Sequence, residues 1–209
     1  MHEVVDHPLA AHLLTQLRDR RTLPRDFRLA AKRLTYPLVL AATRDLPLRE
    51  IAVETPLERT IGREIAVEIV AVPVLRAGLG LLEAVTDIYP DVSVGYAGLA
   101  RDETTAIPNR YYLKLPPLDG RFVLVLEPML ATGGSLSATV TQAKLAGATQ
   151  ITAICVVVSP EGLRRMAEDH PDVRIVCASV DRGLDSTFYI RPGLGDMGDR
   201  LFGTTPPPI

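Results

Sequence analysis

The stretch Glu127-Pro128-Met129-Leu130-Ala131-Thr132-Gly133-Gly134-Ser135 holds the residues whose types and order can do chemistry. Consecutive glycines let main-chain N–H groups face a ligand with no side chain in the way. A helix starting there adds N–H donors and the positive end of its dipole. Thr132 and Ser135 add hydroxyl donors, and together these groups make a nest for a phosphate. Glu127 is the discordant member, because an acid beside a phosphate is repulsive unless it binds hydroxyls or a metal. A sugar phosphate supplies the hydroxyls. No GK[ST] follows the glycines, so a Walker A loop is excluded. The plain alternative is an ordinary strand–turn–helix connection with flexible glycines.

Such a nest needs a buried strand before it and a helix after it. The apolar run over 122–126 predicts the strand, and the spacing over 135–146 predicts the helix, stopped by Gly147. Elsewhere the pattern predicts helices over 8–21 and 25–43. Leu9, Leu13, Leu14 and Leu17 form one stripe of the first, and Pro24-Arg25-Asp26 starts the second. Residues 46–65 read as short strands or a small lobe. Strands are predicted over 65–72, 92–99, 110–115, 151–159 and 173–179, with helices over 80–89 and 160–170. Residues 101–109 read as a polar loop and 189–203 as a glycine-rich, loop-like tail. Apolar strands alternating with helices imply an α/β chain with a mostly parallel sheet covered on both faces. Ligands in such sheets bind beyond the carboxyl ends of the strands, which points at loops 73–78, 127–135 and 159–162.

Gly193-Leu194-Gly195-Asp196-Met197-Gly198 matches GxGxxG, the dinucleotide pattern. That reading needs a buried strand before it and a βαβ unit after it. Arg191-Pro192 precedes the match and only a short tail follows, so the dinucleotide reading is rejected.

The 209 residues are 47% hydrophobic and 23% charged, which suits one folded domain, with disorder expected only at 204–209. A net charge of −2 gives no bulk attraction for nucleic acid or a membrane surface. The positive field for an anionic substrate must therefore be local. Cys155 and Cys177 lie in β-branched runs and read as buried core thiols, with no zinc spacing. With no apolar leader and no run long enough to span a membrane, a soluble cytoplasmic protein is expected. His2, His7, His12 and His170 lie outside the glycine motifs and take no catalytic role.

Three segments, in order, resemble the uracil phosphoribosyltransferase family of the type I phosphoribosyltransferases: 73–79 (Pro73-Val74-Leu75-Arg76-Ala77-Gly78-Leu79), 127–135, and 189–200 from Tyr189 to Arg200. Asp6-His7-Pro8-Leu9 and Arg101-Asp102-Glu103-Thr104 fit as well. The resemblance implies a type I phosphoribosyltransferase fold, a mostly parallel twisted sheet flanked by helices. It further implies one domain over 1–209, with the core sheet in 65–180 and a small hood from 1–64 and 181–209.

It also implies a reaction of uracil with phosphoribosyl diphosphate (PRPP), giving UMP and diphosphate, with Mg²⁺ carried mainly by PRPP. By that carry-over Arg76 holds the diphosphate and Arg101 closes over it. Glu127 meets the ribose hydroxyls, and Pro128, Met129, Leu130, Ala131, Thr132, Gly133, Gly134 and Ser135 wrap the 5′-phosphate. Ile190, Gly195, Asp196 and Met197 read uracil, and Asp196 also touches the PRPP side. Arg101 and Asp196 are the expected catalytic residues. A homodimer or larger homo-oligomer is implied, and the apolar N-terminal helices are candidates for that contact.

Three positions depart from the family pattern. Glu127 stands where Asp is usual, Met197 where a small residue is usual, and Arg191 where an aliphatic residue is common. They keep open a non-catalytic PRPP- or nucleotide-sensing regulator of the same fold, bound to RNA or a protein partner. An enzyme of the same fold using another base is also open. A chain without a basic stripe argues against the RNA partner.

Overall fold

The computed structural model describes residues 1–101 and 108–204. Residues 102–107 and the Pro-rich end 205–209 lie outside them.

The chain runs β1 (His2–Val4), α1 (Pro8–Arg18), α2 (Pro24–Ala42), then a hairpin of β2 (Leu48–Glu54) and β3 (Arg59–Ile65). Next come β4 (Ile69–Leu75), α3 (Leu79–Ile88), β5 (Ser93–Val94), β6 (Tyr96–Arg101), β7 (Pro108–Lys114), β8 (Phe122–Leu126) and β9 (Met129–Leu130). The rest is α4 (Gly134–Leu145), β10 (Gln150–Val158), α5 (Pro160–Asp169), β11 (Arg174–Val180), β12 (Gly183–Leu184), β13 (Ile190–Arg191) and α6 (Met197–Phe202).

The main sheet is ordered β1-β11-β10-β8-β4-β6-β7. Its neighbours are parallel except β6 and β7, which form an antiparallel edge. The mostly parallel, helix-flanked sheet is therefore present. Each central strand sends alternate side chains to opposite faces. Ala71, Leu124, Leu126, Ile154 and Val156 pack under α1, α2, α3 and α6. Val70, Val72, Val123, Val125, Ala153 and Cys155 pack under α4 and α5. Burial on both faces is why these strands read as continuous apolar runs. Cys155 and Cys177 are register partners on neighbouring strands, both buried and both free thiols.

Several boundaries differ from those predicted. Residue 65 ends β3, and β4 starts at Ile69, because Ala66 donates its N–H to Pro47 and leaves the run. The strand expected over 92–99 is interrupted where Gly95 donates to Ala71 O. In α1 the buried stripe is Ala10, Leu13, Leu14 and Leu17, while Leu9 is half-exposed. His7 starts that helix by accepting from Leu9 N–H, with Pro8 following. The tail is not all loop, since it contains α6 capped by Asp196. In the N-terminal segment β1 extends the main sheet beside β11, and α1 and α2 cover one face of it. The apolar stripes of α1 and α2 lie in the chain's own core rather than facing a partner.

Candidate functional site

The carboxyl ends of β4 and β8 meet the C-terminal hairpin around one cavity of about 700 Å³, the size of a small-molecule site. At the end of β8 the chain bends while staying bonded to β10. Glu127 N–H donates to Ile154 O (3.1 Å), and Pro128 O accepts from Val156 N–H (2.8 Å). Loop 159–162 does not line the cavity but fixes the nest from behind. Ser159 Oγ donates to Ala131 O (2.5 Å) while accepting from Gly162 N–H (2.9 Å).

Gly133 has φ +80°, a left-handed conformation that disfavours a side chain, and it starts α4 without a capping side chain. The first-turn N–H groups of α4 are thus left for a ligand rather than for a cap. Residues 129–135 all line the cavity, as sequence reasoning expected; Pro128 does not, because its carbonyl belongs to the β10 ladder.

Glu127 lines the cavity and is 8% exposed. Its Oε2 is buried with no hydrogen-bond partner among the described residues. Burial alone pushes the carboxyl up to about 8. A polar atom in that state marks a place where an absent hydroxyl or cation would be bound.

Arg76 reaches the cavity from the end of β4, after a cis Leu75–Arg76 peptide. Its Nη2 donates to Asp199 Oδ1 (2.9 Å). The Thr204 hydroxyl, then Arg76, hold the Asp199 carboxyl below its usual range. Asp196 caps α6, its Oδ1 accepting from Asp199 N–H (2.8 Å), and it also lines the cavity. The helix cap and part of the cavity wall thus fall on one residue.

Ile190, Gly195 and Met197 line the same cavity. The Met197 side chain is buried in the core cluster with Leu194 and Leu201, so its extra bulk is housed away from solvent. Arg191 instead pairs with Asp185 (Nε to Oδ2, 2.7 Å), which also accepts from Thr187 and Tyr189 N–H and so shapes the turn before β13. Arg101 ends β6 opposite Pro108, and its side chain lies outside the described residues.

Three aromatic residues that sequence reasoning left unassigned, Tyr111, Phe188 and Tyr189, also line the cavity and are about half-exposed. Phe188 and Tyr189 adjoin the glycine-rich tail, a signal available in the sequence. Tyr111 arrives from the antiparallel edge strand β7, which no local spacing announces. Among the described residues no cluster of three or more His, Cys, Asp or Glu could hold a metal ion. The carboxylates lining the cavity are Glu127 and Asp196.

The family model described as uracil phosphoribosyltransferase matches residues 4–204. The uracil phosphoribosyltransferase of Salinibacter ruber is 46% identical over 202 residues, covering 96% of each chain. That of Symbiobacterium thermophilum is 45% identical, covering 96% of this chain and 97% of its own. A solved protein of Aquifex aeolicus superposes with a TM-score of 0.94 at 36% identity, over 98% of this chain and 99% of that one. A hypoxanthine-guanine phosphoribosyltransferase of Bacillus anthracis shares the fold at 14% identity, with a TM-score of 0.51 over 84% of this chain and 80% of that one. With a cavity that joins the 129–135 glycine turn, Arg76 and the 195–198 tail, and with a family match spanning residues 4–204, this chain belongs to the uracil phosphoribosyltransferase family.

Proposed function

We propose that this protein transfers the phosphoribosyl group of PRPP to uracil, releasing diphosphate and forming UMP. The observation that carries the reading is that one cavity is lined by residues 131–135, Arg76, Glu127 with its unpartnered Oε2, and the loop 195–198. Each feature matches one part of the two substrates.

In this reading the α4 N-terminus and the hydroxyls of Thr132 and Ser135 hold the 5′-phosphate. Glu127 accepts from the ribose hydroxyls, which supply the partners its buried oxygen lacks. Breaking the C1–O bond of the ribose builds positive charge on the sugar and negative charge on the diphosphate. Arg76 and Arg101 stabilise that leaving group. Main-chain groups of Ile190, Gly195 and Met197 hold the edge of uracil, with its nitrogen over C1. Asp196 bridges the base and PRPP sides.

Asp196, joined by Glu127 once its proton is displaced, would face a Mg²⁺ carried mainly by PRPP oxygens, which would neutralise charge on the diphosphate. A cytoplasmic location suits the two free thiols. A homo-oligomer would cover the β2–β3 hairpin, which pairs only with itself and exposes Leu48, Leu57 and Ile61.

The test mixes protein, Mg²⁺ and PRPP with uracil, cytosine, hypoxanthine or adenine and measures mononucleotide. UMP formation with uracil is expected. PRPP binding with no turnover of uracil would overturn the proposal.

A further inference from the structure

The loop that carries Gly195, Asp196 and Met197 is held by residues that do not line the cavity. Gly193 has φ +61° and follows the cis Arg191–Pro192 bond. A side chain there would collide with the Ile190 carbonyl. Both backbone polar groups of Gly193 are taken by one ion pair. Asp181 Oδ2 accepts from its N–H (2.9 Å), and Arg18 Nη1 donates to its carbonyl (2.9 Å). Arg18 and Asp181 bond each other at 2.8 and 2.6 Å, and Asp181 is 5% exposed. Ser179 completes the set, accepting from Arg18 Nη2 (3.2 Å) and donating to Asp181 Oδ1 (2.8 Å).

The next carbonyl is held from the other direction. Arg200 Nη1 donates to Leu194 O (2.8 Å) and to Leu17 O, and Nη2 donates to Asp19 O (2.6 Å). Its guanidinium lies 4.2 Å from the centre of the Phe27 ring. Arg18, Leu17 and Asp19 all belong to the end of α1, where terminal carbonyls seek donors. The C-terminus of α1 therefore anchors two consecutive residues of a loop some 175 residues later in the chain.

We propose that Arg18, Asp181 and Arg200 are positioning residues for base recognition, fixing Gly193-Leu194 so that Gly195, Asp196 and Met197 present a rigid edge to the pyrimidine. This rests on the function proposed above. Main-chain recognition tolerates displacements of only about 0.5 Å, so the residues that hold the loop set the affinity for the base. The phosphate nest has its own supports in β10 and Ser159 and is independent of α1. Of the three residues the loop presents, Asp196 alone also touches the PRPP side, so the inference predicts a larger effect on uracil than on PRPP, whereas a purely structural role would raise both together.

The experiment measures KM for uracil and for PRPP separately in wild type, Arg18→Met, Arg18→Lys and Asp181→Asn, with circular dichroism to confirm folding. Arg18→Met should raise KM for uracil about tenfold, the worth of a lost charge-assisted hydrogen bond, and raise KM for PRPP by less, about threefold at most, through Asp196. Arg18→Lys, which keeps one donor, should recover part of the loss. Where Arg18→Met does not fold, Arg18→Lys and Asp181→Asn give the same readout. An unchanged KM for uracil, or a parallel rise in both constants, overturns the inference. Wild type that fails to convert uracil overturns the proposed function instead, before any variant is made.

Discussion

Replacing Glu127 with Gln tests the most unusual electrostatic feature of the site. The wild-type carboxyl keeps its proton up to about pH 8 in the folded chain, against 4.5 for the same group in water, because burial removes its hydration. In the unfolded chain it ionises near 4.5. Between pH 4.5 and pH 8 the folded state therefore binds more protons, and stability falls as pH rises through that window. Above pH 8 both states are ionised and the loss levels off. The difference of about 3.5 pH units, at about 1.4 kcal/mol each, caps the loss at ~5 kcal/mol. Glutamine fits the same space and carries no titrating proton. Urea denaturation of wild type and Glu127→Gln without ligand, at pH 5 and pH 8.5, isolates the effect, since all other groups titrate alike in both. The two should be nearly equal at pH 5, and the variant should be more stable by several kcal/mol at pH 8.5. Parallel stability curves across that range would refute the claim that burial holds the proton on this acid.

Other outcomes follow from the same geometry. Arg101→Ala should reduce turnover far more than it reduces thermal stability; an unchanged rate would remove Arg101 from the mechanism. Gly133→Ala forces a side chain onto φ +80° with its Cβ 3.1 Å from Gly162 O. It should destabilise the chain by ~1–2 kcal/mol and weaken PRPP binding measured by calorimetry, whereas unaltered affinity would argue against the nest. Leu126→Ala, at a fully buried position of β8, should lower unfolding free energy by ~2–5 kcal/mol in a denaturant titration, and a loss below ~1 kcal/mol would show that the core there relaxes freely.

The strand, glycine turn and helix around Gly133 were legible because they are local. Paired glycines, two hydroxyl residues, a preceding apolar run and a following helix lie within a few turns of chain, and their backbone geometry depends on near neighbours. The alternating α/β architecture was legible for a similar reason, since burial on both faces leaves an unbroken apolar run such as 122–126. Errors arose where a near equivalence was settled by distant contacts. Leu9 and Ala10 both suit the first stripe of α1, and packing chose Ala10. Helix α6 was hidden because its glycine-rich approach masks a short helix started by Asp196.

Sequence by itself determined the groups available: a glycine turn flanked by hydroxyls, an arginine loop and a glycine-rich segment of the family pattern. Tertiary structure decided how those groups behave. Burial of Glu127 comes from the strands and loops around it, and desolvation belongs to a place in the fold rather than to a residue type. Tyr111 joins the cavity from an antiparallel edge strand, and Pro128 leaves it because β10 claims its carbonyl. The same holds for Arg18, Asp181 and Arg200, which look in sequence like ordinary surface charges. Only folding brings the end of α1 against Gly193 and Leu194, where three charged side chains satisfy backbone groups that would otherwise be buried unpaired.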